Sequence, residues 1–113
     1  MAERTPLTQE VDRTLDWLFA GIGDIRELAS EWTNLHEAER ISEELEWLND
    51  MAGDLPFLHA QYVGATMSDA QRQRYYALLR DLQELMPTLL RLEMELPHVP
   101  IDEVLREQAA ARL

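Results

Sequence analysis

Leu7, Val11, Leu15, Leu18, Ile22, Ile25, Ala29 and Trp32 recur at steps of four and three residues, and no other pattern in the chain constrains its fold as strongly. Side chains three and four apart share one face of an α-helix, so this spacing keeps a single face apolar from end to end. It predicts a helix over residues 6–31, about 39 Å long at 1.5 Å per residue. Thr5 is the expected N-cap, with Pro6 at the first helical position, where a missing N–H costs nothing. Gly21 and Gly23 each cost about 1 kcal/mol inside a helix, and Asp24 with Glu27 imitates a capping box. The apolar phase passes through them unbroken, so the helix is expected to continue.

That phase slips after Trp32, which places a turn at Thr33 and Asn34. Asn34 followed by Glu37 offers the next helix start. A second helix over 34–52 would then carry Ile41, Leu45, Leu48 and Ala52 on its core face and end at Gly53. Asp54, Leu55 and Pro56 read as a break, followed by a short helix over 57–66. Ser68 and Gln71 form another capping-box signal, opening a third helix over 69–96 whose apolar face runs through Tyr75, Leu78, Leu82, Leu85, Met86, Leu89 and Leu96. Pro87 should kink it by removing one hydrogen bond and crowding the preceding turn. A terminal helix over 102–112 follows Pro97 and Pro100. No stretch alternates as a strand does. The expectation is an all-α, single-domain, up-down helical bundle of three long helices with short accessory helices. Trp17, Trp32 and Trp47, spaced evenly but without flanking similarity, are expected at the core or its edge.

Charge restricts the partners. Twenty-two acids face 10 arginines and no lysine, a net charge of −12. Nucleic acid is a poor partner and none is expected, since its binding requires cations that displace condensed counterions. An anionic membrane surface is excluded for the same reason, and no apolar run approaches the ~20 residues needed to span a bilayer. Cysteine is absent, which removes thiolate metal sites and suits the cytoplasm, as does an N-terminus without a basic stretch leading into an apolar one. Arginine without lysine also matches GC-rich codon usage and a prokaryotic source.

The acids are unevenly placed. Residues 1–67 hold 14 acids against 4 arginines, net −10, whereas 68–113 hold 8 against 6, net −2. With Ile41 facing the core, Glu39, Glu43, Glu46 and Asp50 fall near the opposite pole of the second helix and form an outward acidic stripe. Such a stripe suits a basic protein surface. The functional expectation is therefore a non-enzymatic interaction module, such as an adaptor, inhibitor or antitoxin-like protein, with these four residues as its docking face. A homodimer is expected as well, because the apolar face of the third helix is wide enough to meet neighbours on two sides.

Signals for chemistry are sparse. Glu95 and His98 are the only Glu-x-x-His pair of the kind that di-metal carboxylate bundles need twice, and Pro97 lies between them. Glu43 and Glu46 supply one Glu-x-x-Glu of MazG-type pyrophosphohydrolases, but no later Glu-x-x-Asp accompanies it. Arg91 and His98, with six residues between them, resemble the arginine-to-histidine spacing of HEPN-type ribonucleases, which are small helical dimers. The resemblance implies an alternative, a small helical hydrolase or ribonuclease using Arg91 and His98. In that family a polar residue follows the arginine, where this chain has Leu92. No cofactor or metal is expected.

Overall fold

The computed structural model describes residues 6–111, so the Thr5 cap lies outside the described residues. Within them the chain is helical and has no strand. Helix α1 runs unbroken from Pro6 to Leu28, burying Val11, Leu15, Leu18, Ile22 and Ile25 along the face that the spacing requires. After a 3-10 turn, Trp32–Asn34, come α2, Glu37–Asn49, and a π-helical turn, Asp50–Asp54. This turn leads directly into α3, Leu55–Val63; α4, Asp69–Arg91, and α5, Ile101–Ala111, complete the chain. Only α1 and α4 are long, at 23 residues each; α2 has 13.

Helix α4 begins as its sequence demands. Ser68 Oγ accepts from Gln71 N and Gln71 Oε1 accepts from Ser68 N, closing the capping box. The same Gln71 side chain donates to Thr8 O at 3.1 Å and to Asp12 Oδ1 at 3.0 Å, so the cap also fastens α4 to the start of α1. Further along, Arg74 meets Asp16 at 2.5 Å and Arg26 meets Glu84 at 3.7 Å. These pairs advance together along both helices, which makes α1 and α4 parallel neighbours. Exposed ion pairs of this kind contribute at most about 1 kcal/mol each. Apolar burial contributes more: α4 packs on α1, and its Leu78, Leu79, Leu82, Leu85 and Leu89 are all buried. Helix α5 covers α4 from another side through Ile101 and Val104. Helix α5 thus covers part of α4's apolar face, and Leu90 of α4 stays exposed.

Helix α4 ends at Arg91, earlier than residue 96, in a Schellman motif: Glu93 N donates to Leu90 O and Met94 N to Leu89 O. Glu93, not glycine, takes the left-handed position at φ 57°. The connection after α3 closes in the same way, with Ala65 at φ 57° and Thr66 N donating to Gln61 O. Gly64 stands one residue too early to take that position.

The second helix departs most from expectation. It starts at Glu37 with His36 as N-cap, while Asn34 belongs to the 3-10 turn. Ile41, Leu45 and Leu48 do not face the core; they are 47%, 56% and 37% exposed. Trp47 and Met51 are buried instead, followed by Leu55 and Leu58. The reason is the π turn, whose Leu55 N donates to Asp50 O five residues back. One extra residue in a turn sets all later side chains back by about 100°. In a straight α-helix Leu55 would continue the Leu48 side; the wider turn swings it into line with Trp47 and Met51. Gly53 therefore does not end a helix, and Pro56 sits second in α3, in a first turn that tolerates proline.

Two substitutions separate the two faces. Trp47→Ala removes a fully buried indole and should cost about 3–5 kcal/mol, whereas Leu45→Ala should change stability by no more than about 0.5 kcal/mol. Urea unfolding of both variants checks the assignment, and comparable losses would contradict it.

Candidate interaction surface

The end of α2 and the π turn after it pass close to Gly21 of α1. A Cβ on Gly21 would lie 3.2 Å from Asp50 Oδ2 and 3.7 Å from the Trp47 ring, so a larger residue there would press on the Asp50 carboxylate. Beside it, Trp17 Nε1 donates to Asp50 Oδ1 at 2.8 Å. Asp50 is only 6% exposed, while the indole that bonds to it is 58% exposed. A buried carboxylate thus holds a surface tryptophan in one orientation. Trp17 is therefore not a core residue, unlike Trp32 and Trp47.

Burial drives the Asp50 carboxyl up to about 6; the Trp17 N–H opposes the rise, and Asp54 and Glu46 reinforce it. Glu43 is also raised, first by burial and then by Glu46 and by Asp24 of α1. Of the four residues expected on an outward stripe, Asp50 is buried, Glu43 is half-buried, and only Glu39 and Glu46 are exposed. The stripe faces α1, because the phase of α2 is set by Trp47 and not by Ile41. A small cleft of about 20 Å³ gathers Asp24, Glu43, Glu46 and Asp50 around Gly21; Glu39 is not among its lining residues. Arginine in place of Asp50 would bury a cation, so the solvated part of this face is Glu39 and Glu46.

A wider surface hollow of about 650 Å³ adjoins Trp17, lined also by Glu10, Arg13, Thr14, Asp16, Ala20 and Asp54. Asp16 is already held by Arg74, whose guanidinium also stacks 5.6 Å above the Phe19 ring. The sequence gives no sign of this grouping, since Trp17 and Asp50 lie 33 residues apart.

Neither residue of the alternative pair lines the hollow next to the loop before α5. Arg91 ends α4 exposed, and His98 Nε2 lies 2.6 Å from Glu95 Oε1 in the loop before α5. The Glu-x-x-His pair therefore does meet, although outside any helix. The adjacent hollow of about 420 Å³ is lined by residues such as Gln83, Met86 and Val99, with neither Arg91 nor His98 among them. Among the described residues no group of three or more histidines and acids could hold a metal ion. His59 is bonded through Nδ1 to the Tyr75 hydroxyl at 2.9 Å. Burial pushes Tyr75 upward, so its hydroxyl stays protonated and ties α3 to α4. Among the described residues no helix is long and apolar enough to cross a membrane.

The raised Asp50 has a definite effect on stability. A carboxyl that titrates near 6 when folded and 3.8 when unfolded favours the fold below pH 3.8, and this contribution is lost as pH rises through 6. The full shift corresponds to about 3 kcal/mol at most. Asp50→Asn retains an acceptor for Trp17 without the charge. It should raise stability at pH 7.5 by about 1–3 kcal/mol relative to wild type and change it little at pH 4. Urea midpoints of both proteins across pH 4–8 test this; parallel curves would show that Asp50 carries no such penalty.

Compared with protein-family models, with curated proteins and with solved structures, the chain matches none.

Proposed function

We propose that this chain is a non-enzymatic interaction module whose α1–α2 edge receives a basic protein surface in the cytoplasm. The observation that carries the reading is Trp17, more than half exposed yet pinned by buried Asp50. An exposed indole that is already ordered loses little side-chain entropy on binding, and tryptophan is among the residues that most often dominate interface energy. Glu39 and Glu46 on the same edge of α2 supply the field that attracts and orients a basic partner. The uneven charge supports this reading, since the acids concentrate in the part of the chain that builds the edge. The architecture is read as an up-down bundle, supported by the parallel register of α1 and α4 with the α2–α3 leg between them in sequence.

Affinity capture from the native host supplies the partner, and two variants then test the surface. Trp17→Ala should weaken binding at least tenfold, mainly through faster dissociation. Glu39→Arg with Glu46→Arg should slow association and flatten its salt dependence while leaving the fold intact. A partner that binds both variants as tightly as wild type, with an unchanged response to salt, would rule out this edge as the docking surface.

A further inference from the structure

The other edge of α2 carries an uncovered apolar row, and we propose that it docks an amphipathic, basic helix from another protein. Ile41, Leu45 and Leu48 stand outward over two turns, spanning about 10 Å. Trp47 Nε1 donates to Glu95 O at 2.8 Å, which fixes the loop after α4 alongside this row. Buried Met94 and the row together line a groove of about 230 Å³. The charged side chains lining it are Glu44, Glu93 and Glu95, with no arginine among the lining residues. His98 pairs with Glu95, and Glu44 and Glu93 are exposed.

These features select the occupant. Apolar side chains at steps of four and three match the i, i+3, i+4, i+7 anchors of a helix lying in a groove. Three carboxylates around an apolar row favour lysine or arginine flanking the partner's apolar stripe. A second copy fits poorly, since a twofold contact would bring these carboxylates together in a chain of net charge −12. Three partly exposed aliphatic side chains also fall well short of the roughly 800 Å² that each member of a stable dimer buries. This surface is separate from the Trp17 edge and does not depend on its assignment.

The test is a displayed library of helical peptides with a fixed leucine row and randomised flanks, selected on the wild-type chain. The expected binders carry lysine or arginine beside the row and weaken several-fold as salt rises from 50 to 300 mM. They should lose at least tenfold in affinity to Leu45→Glu and bind Trp17→Ala unchanged. Leu45 is more than half exposed, so the glutamate variant should keep its fold, which circular dichroism and the urea midpoint verify. The proposal is overturned if no selected peptide is sensitive to Leu45→Glu, or if neutral or acidic flanks are enriched. It is also overturned if the wild-type chain sediments as a dimer that Leu45→Glu dissociates, because the row then belongs to a second copy.

Discussion

Trp47 has to be buried, and most of the structure follows from how that is done. Among the described residues its indole is the largest fully buried side chain, and its one polar atom, Nε1, reaches Glu95 O. Full burial of the ring is worth several kcal/mol, and leaving the N–H unpaired would cost about 1–3 kcal/mol of it. Both conditions are met only if the Trp47 side of α2 turns inward and the loop after α4 comes up beside it. Asp50, on the same side of the helix, is then carried into the interface with α1. Ile41, Leu45 and Leu48 are carried out of it.

The molecule can accommodate this because it is thin. Its principal extents are 49 × 33 × 19 Å, and 19 Å is about two helix diameters. In a two-layer arrangement each helix keeps one face in solvent, so an outward apolar row on α2 does not require a third layer. Gln71, the Arg74–Asp16 pair and the Arg26 pairs hold α1 and α4 in parallel. Helix α2 and the π turn after it turn Trp47, Asp50 and Met51 inward.

The parts legible in the sequence are those decided locally. The α1 stripe, its continuity through Gly21 and Gly23, and the Ser68–Gln71 cap all depend on residues within a few turns of one another. The phase of α2 does not. Two apolar rows compete there, one through Ile41, Leu45 and Leu48 and one through Trp47, Met51, Leu55 and Leu58. The second becomes continuous only with an extra residue in the turn at 50–54, and Gly53 with Pro56 disguises that turn as a helix end. The Asp50 end of an acidic stripe oriented by the first row turns inward for the same reason that the core does, while Glu39 and Glu46 stay exposed. The position of Trp17 is hidden for a different reason: the carboxylate that holds it belongs to another part of the chain.

The π turn also bears on chain length. A wide turn of this kind is what results when one residue is added to a continuous helix without moving the segment after it. Ala52 and Gly53, in its middle, are exposed, and a Cβ on Gly53 would meet nothing within 4 Å. Removing one of them would leave α3 facing the same neighbours, except that Pro56 would then lie inside an ordinary helix, crowding the turn before it at a cost of about 3 kcal/mol. The extra residue and the proline are therefore matched: a related chain one residue shorter here should also lack the proline, and one that keeps the proline should keep the longer turn.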